Sequence, residues 1–95
     1  MNDGAFRWDD TKAAKNYAKH GVTFEAARDV FDDPFALDWP DEGQDEGEQR
    51  FVTLGIVEGR LLFVVYTMRG DAIRIISARL AEPFERRSYH DENKA

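Results

Sequence analysis

Hydrophobic residues concentrate in three segments of the second half of the chain, and a two-residue break that contains glycine lies between successive segments. The segments are residues 50–57, 60–68 and 72–79, and the breaks are Glu58-Gly59 and Gly70-Asp71. Glycine permits the positive φ that a tight hairpin turn needs, so the pattern predicts an antiparallel meander of three strands. The middle segment is apolar on both faces, which predicts a central strand covered by helices on at least part of both sides.

In the first third of the chain the apolar residues recur at helical spacing instead. Asp9 or Asp10 is expected to cap a first helix that runs to about His20. Gly21 stands where helices commonly end in the left-handed conformation. The chain therefore begins with a helical region before the strand-rich half.

A second helix and three further elements complete the predicted fold. Thr23 is a suitable N-cap, and Pro34 stops this helix because the residue before a proline is pushed out of the α region. The other elements are a short strand at 6–8, a strand at 35–39 ended by Pro40, and a C-terminal helix with Pro83 in its first turn. We expect one α+β domain over residues 1–95, with two N-terminal helices packed on a small antiparallel sheet, a meander of three to four strands, and a C-terminal helix.

Composition narrows the class of protein. The chain contains no cysteine, which excludes a disulfide framework and any cysteine-ligated zinc site and fits a reducing compartment. No apolar run approaches the roughly 20 residues that cross a bilayer, and the N-terminus lacks a signal-peptide segment, so we expect a cytoplasmic protein with no membrane partner. The two histidines, His20 and His90, are far apart in sequence, so neither a metal site nor a cofactor is predicted.

Charge is distributed unevenly, although the net charge is −6. Residues 29–50 hold nine acids and one base, whereas residues 58–90 hold six arginines and four acids. For most of the acids the simplest interpretation is solvated surface charge. The arginines that fall within strand patterns are harder to explain in this way, and they indicate a surface that binds anions.

Two of these arginines lie in the last predicted strand, at Arg74 and Arg79. Strict alternation would place them on opposite faces of the sheet. Arg79 is at the exit of the strand, and Tyr89, ten residues later on the predicted helix, can converge with it at the sheet edge. Glu85 lies four residues before Tyr89 on the same helix. A guanidinium group suits a phosphate because it donates two hydrogen bonds in a fork, but a salt bridge to an acid or a solvated surface position is the alternative for each arginine.

His20 also has two interpretations. At the C-terminus of a helix an imidazole is favoured by the helix dipole, and this explanation is sufficient by itself. Next to an RNA backbone the same group is a suitable general acid or base.

Several motifs at fixed spacing carry a resemblance to a known family. They are W-D-x-x-K-A-x-x-N-x-x-K-H-G-V-x-F from Trp8 to Phe24, V-F-x-D-P from Val30 to Pro34, R-I-I-S-A-R from Arg74 to Arg79, and E-R-x-x-Y from Glu85 to Tyr89. From about Phe6 to Tyr89 the chain resembles the BrnT family of toxins from bacterial type II toxin–antitoxin modules. It departs from the family at Met68, where members often carry glutamate.

The resemblance implies a RelE-like fold and a ribonuclease that cuts RNA and blocks translation. It also implies a BrnA-like antitoxin with a ribbon-helix-helix region, which masks the toxin, binds operator DNA and represses the operon with it. The alternative, from another class, is a catalytically inactive module that binds the antitoxin and modulates its binding to DNA.

Under the leading hypothesis the chain is a metal-independent endoribonuclease. Arg74 and Arg79 are assigned to stabilising the charge on phosphate, and Glu85 to orienting them. Tyr89 or His20 is the candidate for proton transfer or base stacking. The residues assigned to holding RNA are Arg69, Arg86 and Lys19.

Overall fold

The computed structural model describes residues 2–42 and 47–94, so the acidic residues Asp45 and Glu46 lie outside the described part. The strands are β1 (Asn2–Asp3), β2 (Phe6–Arg7), β3 (Leu37–Asp41), β4 (Arg50–Val57), β5 (Arg60–Arg69) and β6 (Ala72–Leu80). The helices are α1 (Asp10–His20), α2 (Phe24–Asp29), which continues as a 3₁₀ turn (Val30–Asp32), and α3 (Pro83–Glu92). The predicted α+β class is therefore confirmed.

The strands described form one sheet in the order β1-β2-β6-β5-β4-β3. From β3 to β6 each strand pairs antiparallel with the next, as the meander predicts. However, β2 pairs parallel with β6, and β1 extends the sheet beyond it. The predicted antiparallel sheet of three to four strands is thus corrected to a mixed sheet of six strands, because the N-terminal segment joins the free edge of the last strand.

The predicted turns and helix ends are confirmed. Glu58 and Gly59 have φ values of +50° and +80°, as a tight hairpin requires. Asp9 caps α1 by accepting hydrogen bonds from two backbone N–H groups, and Gly21 ends this helix with a φ of +70°. Thr23 caps α2 through its side chain. These features depend on a few neighbouring residues, which is why local sequence predicts them.

The strand predicted at 35–39 is displaced to Leu37–Asp41, and it contains Pro40, which was expected to end it. This strand lies at the edge of the sheet and pairs only with β4. A proline lacks the N–H donor that a central strand needs, but on an edge strand that nitrogen can face away from the neighbour. The edge position therefore explains how β3 accommodates Pro40.

The register between β5 and β6 contains an irregularity. The pairs on either side of it are Val65 with Ser77 and Tyr66 with Ile75. Ile76 has no opposite residue, so it forms a β-bulge. One extra residue reverses the face to which the following side chains of β6 point.

The bulge changes the placement of the two arginines in β6. Arg74 pairs with Thr67 and Arg79 pairs with Phe63, and these partners are four residues apart on β5. Residues at even separation on a strand point to the same face, and so do directly paired residues. Arg74 and Arg79 therefore share one face, and the prediction that they lie on opposite faces is wrong.

The two sides of the sheet are covered differently. On the side that we call the helix face, α1 and α2 pack against the central strands and close the larger core. Its fully or nearly fully buried members from the sheet are Leu62, Val64, Ile75 and Ala78, and those from the N-terminal region are Trp8, Val22, Phe24, Ala27 and Val30. The predicted helical spacing thus provides the cover for this face.

The opposite side, which we call the open face, carries Phe63, Val65, Arg74, Ser77 and Arg79. At one end α3 covers it, and a second core cluster forms there from Leu54, Leu61, Ala81 and Tyr89. A capping box between Glu82 and Glu85 starts α3, which confirms the helix predicted from Pro83. Covering helices on part of both sides of β5 were predicted from its apolar faces, and this is confirmed.

Where β6 extends beyond its pairing with β2, the side chain of Asn16, instead of a neighbouring strand, provides hydrogen-bond partners for the backbone of β6. The amide of Asn16 accepts a hydrogen bond from the backbone N–H of Ala78 and donates to its carbonyl, at 3.2 and 2.9 Å. The same amide donates to the carbonyl of Val22 at 3.1 Å. Asn16 is 8% exposed, so these backbone groups would otherwise be buried without partners.

Asp33 plays a comparable part at β4. Its carboxylate accepts the backbone N–H of Ile56 at 2.8 Å, and a Cβ at Gly55 would come within 2.9 Å of the Val30 side chain. Glycine at this position is therefore what allows the turn before β3 to approach β4 so closely.

Among the described helices, none has the length and apolarity to cross a membrane.

Candidate functional site

The strand register arranges the open face in rows that run across four strands. One row consists of Leu37, Leu54, Phe63 and Arg79; the next consists of Trp39, Val52, Val65 and Ser77; a third consists of Asp41, Arg50, Thr67 and Arg74. The first row is packed under α3, whereas the second and third lie beyond the second core cluster. This part of the face therefore combines a largely apolar row with a row that contains two arginines; Val52 and Thr67 are buried within the rows, and Trp39, Val65, Ser77 and Arg74 keep exposed surface.

A small cleft of about 100 Å³ lies next to this third row. Its charged lining residues are Asp9, Lys12, Glu48, Arg50, Arg69 and Arg74. Asp9 is already engaged as the cap of α1, and hydrogen bonds from the Lys12 backbone above all hold its pKa below the ordinary value. Four cationic groups against two acids make the cleft suitable for an anion.

A second cleft continues along the same edge of β6. It has a volume of about 260 Å³ and is lined by Lys12, Lys15, Asn16, Lys19, His20, Ile76 and Ser77. Lys12 and the bulged Ile76 belong to both clefts, so the two are contiguous. We call the cations of the two clefts the basic strip: Lys12, Lys15, Lys19, His20, Arg50, Arg69 and Arg74.

Arg79 lies on the same face but outside the basic strip, in a bidentate ion pair. Its two terminal nitrogens donate to the two oxygens of Glu85, both at 2.9 Å, and one of them also donates to the carbonyl of Leu80. Its guanidinium carbon is 3.9 Å from the ring centroid of Phe63. Burial acts to raise the pKa of Glu85, but the hydrogen bonds from Arg79 and from the Glu82 backbone outweigh it and lower the value. Arg79 therefore pairs with Glu85, whereas Tyr89, which the sequence predicted to converge with this arginine, donates its hydrogen bond elsewhere.

Tyr89 is one turn further along α3 and has a different partner. Its hydroxyl donates to the carboxylate of Asp33 at 2.7 Å, and the residue is only 5% exposed. Burial and this hydrogen bond together raise the pKa of Tyr89 to about 12. A buried ring offers no free face for a nucleobase, and a hydroxyl held by a carboxylate gives up its proton reluctantly. In this arrangement Tyr89 connects α3 to the turn before β3.

The other predicted site residues are dispersed. His20 and Lys19 are in the basic strip on α1, and Arg69 is there too, where it donates to Glu48 at 3.0 Å. Arg86 is exposed on α3, away from the residues that line the two clefts. Met68 pairs with Ile73, so its side chain belongs to the helix face, opposite to the arginines, although it is 46% exposed. The side chain of a glutamate at this position would therefore leave the backbone on the side of the sheet opposite to Arg74 and Arg79.

The sequence did not point to four residues that the structure places in the basic strip or on the open face. They are Lys12, Lys15 and Arg50 in the basic strip, and Trp39 on the open face. The lysines could have been found, since residues 12, 15 and 19 recur at the spacing of one helix face. Trp39 and Arg50 could not, because only the pairing of β3 with β4 shows which face they occupy.

Within residues 2–42 and 47–94, no group of three or more histidine, aspartate or glutamate side chains is arranged to hold a metal ion. The metal independence expected from the sequence stays a prediction, because it is a property of the reaction and not of the positions of these side chains.

Comparison with known proteins places the chain in a family. A search of curated proteins found no match to its sequence. The family model for the ribonuclease toxin, BrnT, of type II toxin–antitoxin systems matches residues 8–85, which include the basic strip and the Arg79–Glu85 pair. The chain therefore belongs to the BrnT family of ribonuclease toxins.

Proposed function

We propose that the protein is a metal-independent endoribonuclease whose RNA substrate lies along the basic strip and across the open face. The observation that carries this proposal is the bulge at Ile76, which puts Arg74 and Arg79 on one face, where Arg74 shares a cleft with Lys12 of α1. Cations on a shared surface bind a phosphate backbone, whereas the excess of acids in the rest of the chain, which brings the overall net charge to −6, repels it. The attraction is thus focused on one edge of the sheet.

The reaction needs three groups. A base removes the proton of the 2′-hydroxyl, whose oxygen attacks the adjacent phosphorus. Cationic donors stabilise the charge that develops on the phosphorane oxygens. An acid protonates the 5′-oxygen as the P–O5′ bond breaks, which leaves a 2′,3′-cyclic phosphate and a 5′-hydroxyl.

We assign phosphate stabilisation to Arg74 and Arg79. Arg74 lines the first cleft directly. Arg79 uses three of its five N–H donors within the described part of the chain, so Nε–H and one Nη2–H can still reach a phosphate. Glu85 holds this guanidinium in place, and we assign it as the orienting carboxylate.

His20 is the better of the two proton-transfer candidates. It lines the second cleft together with Ser77, and histidine is the side chain that most often serves as a general acid or base. Tyr89 is instead a positioning residue, because its hydroxyl is bound to Asp33 and its ring is buried. Lys19 and Arg69 hold the RNA backbone, and Arg86 extends the contact only if RNA also reaches α3.

The enzymatic proposal is tested by incubating the purified protein with single-stranded RNA in EDTA. We expect cleavage with a 2′,3′-cyclic phosphate end, and no cleavage where a single 2′-deoxynucleotide replaces the attacking residue. Arg74→Ala and His20→Gln should each lower the rate at least tenfold while the protein stays folded by circular dichroism. Cleavage that chelation abolishes, or variants as toxic on expression as the parent, would contradict the proposal.

The partner follows from the family. A toxin of a type II system acts with an antitoxin, and we propose a BrnA-like protein with a ribbon-helix-helix region that covers the site and binds operator DNA. The toxin then reaches DNA only through this partner, and both act in the cytoplasm, where the RNA is. Co-expression with the protein encoded by the adjacent reading frame should give a stable complex that no longer cleaves RNA and that retards operator DNA in a gel.

A further inference from the structure

The second row of the open face contains an exposed aromatic residue, Trp39, which belongs to neither of the two core clusters. Trp39 is 37% exposed, although it belongs to a sheet face that α3 partly covers. Its ring meets Phe63 edge-on, with 6.1 Å between the ring centroids. One side of the indole is thus supported by the protein while part of its surface stays in contact with solvent.

Val52 lies directly beside Trp39 in the same row and is only 2% exposed; beyond it lie Val65 and Ser77, which are half-buried. Val65 and Ser77 keep some exposed surface, whereas Val64 and Ala78, their neighbours in sequence on the helix face, have none. Valine and serine are shorter than the tryptophan and arginines around them, so the row forms a shallow shelf. We define the nucleobase shelf as Trp39, Phe63, Val65, Ser77 and Arg79.

Charged groups lie on both sides of this shelf. Arg79 closes it at the α3 side, where its guanidinium carbon lies over the ring of Phe63. Arg74 lies at the other side, two rows away, which corresponds to about 13 Å along the strand direction. The two arginines can therefore contact different phosphate groups of one strand, with a base between them.

We propose that the shelf binds one unstacked nucleobase of the RNA, with Trp39 as the stacking surface. This inference rests on the proposed ribonuclease function and names the substrate class more closely: single-stranded RNA, not duplex. Exposed aromatic residues on a sheet face are a recurrent platform for splayed bases, and stacking tolerates any base because each has a π-face. A duplex keeps its bases paired and cannot present one to the shelf.

The two tryptophans of the chain make the test direct. Trp8 is 3% exposed in the helix-face core, whereas Trp39 is on the shelf. Titration of the intact protein with a 2′-O-methyl oligonucleotide, which cannot be cleaved, should quench the fluorescence of Trp39. In Trp39→Phe the quenching should disappear while affinity falls less than threefold, because phenylalanine still stacks. In Trp39→Ala affinity should fall about tenfold, as the loss of one stacked base predicts.

A matched control is Phe35→Ala, which removes another exposed aromatic side chain, 60% exposed and outside the shelf. Its affinity should equal that of the parent. An oligonucleotide with one abasic residue should bind the parent about tenfold less tightly but should cost Trp39→Ala nothing further. A duplex of the same sequence should leave the fluorescence unchanged.

Two outcomes separate the shelf from the proposed function. If binding depends on salt and on Arg74 but Trp39→Ala binds as tightly as the parent, the shelf proposal is wrong and the ribonuclease proposal stands. If Trp39→Ala weakens only the complex with the antitoxin, the shelf is a protein-docking surface and the proposal is likewise overturned. If the parent binds no oligonucleotide and cleaves no RNA, both proposals fail.

Discussion

The two faces of the sheet are made from alternate residues of the same strands, yet they differ in nearly every respect. On the helix face, Leu62, Val64 and Ala78 have no exposed surface and pack under two helices. On the open face, α3 covers one end and leaves Trp39, Val65 and Ser77 partly exposed beside the arginines. The centre of the helix face is closed to water and stabilises the fold, while the open face keeps charged and aromatic groups in contact with solvent. The predictions below test this division, from the largest expected effect to the smallest.

The boundary between the faces depends on Asn16, so Asn16→Leu should have the largest effect. The substitution removes three hydrogen bonds and leaves buried backbone groups of Ala78 and Val22 without partners. We expect a loss of about 3 kcal/mol in the free energy of unfolding, measured by urea denaturation. Asn93→Leu is the control, since that amide also bonds two carbonyls but is exposed at the end of α3, and it should cost less than about 1 kcal/mol. Equal losses in the two variants would show that Asn16 has no special part.

Adjacent valines on β5 compare the faces with the same substitution. Val64→Ala creates a cavity in the closed core and should cost about 2–3 kcal/mol of unfolding free energy. Val65→Ala, on the half-exposed row, should cost about 1 kcal/mol or less, because water already reaches that side chain. If both variants lose the same stability, the open face is as closed as the helix face and the comparison fails.

The Arg79–Glu85 pair makes stability depend on pH. The pKa of Glu85 is lowered in the folded protein, since the bonds from Arg79 and the Glu82 backbone outweigh burial. Its carboxylate therefore stabilises the fold above the ordinary glutamate pKa of about 4.3, and this contribution is lost as pH falls through the lower folded value. Glu85→Gln should cost about 2 kcal/mol at pH 7 and much less at pH 3, by urea denaturation at both pH values. A cost independent of pH would contradict this explanation.

RNA affinity should respond to Arg74 but not to every arginine. Arg74→Ala removes a cation from the basic strip, so affinity should fall about tenfold, and the slope of log K against log salt should decrease by about 0.7 for a single strand. The control is Arg60→Ala, at the exposed hairpin on the far end of β5, where affinity should change less than twofold. If only the net charge of the protein mattered, the RNA affinity of both variants would instead fall equally.

The smallest effect is expected for Glu48, which accepts a hydrogen bond from Arg69 in the first cleft. Glu48→Gln frees this arginine for phosphate and should raise RNA affinity two- to threefold, since an exposed pair of this kind is worth only about 0.2–1 kcal/mol. Glu92→Gln makes the same change in net charge on an exposed part of α3 and should have no effect. If Glu48→Gln lowers affinity, the carboxylate supports the cleft instead of competing for it.

Local sequence was sufficient for features that a few adjacent residues determine. Asp9, Gly21 and Thr23 mark the ends of the helices where predicted, and the Glu58-Gly59 hairpin has the positive φ values expected of it. The basic character of the arginine-bearing strands was also visible, because charge is counted without reference to the fold. The motif around Asp33 could be recognised in the sequence, but its bonds to Tyr89 and Ile56 could not.

Only the tertiary structure decided which groups act together. Alternation predicted opposite faces for Arg74 and Arg79, and a single bulged residue, Ile76, reversed that result. A bulge arises from the register between two strands, and register depends on all the pairs along them rather than on any one segment. In the same way the sequence made Tyr89 a candidate site residue, but its burial against Asp33 follows from the packing of α3 on the sheet. The sequence by itself thus indicated the family and most of the helices and strands, and long-range packing determined the surface on which the chemistry is proposed to occur.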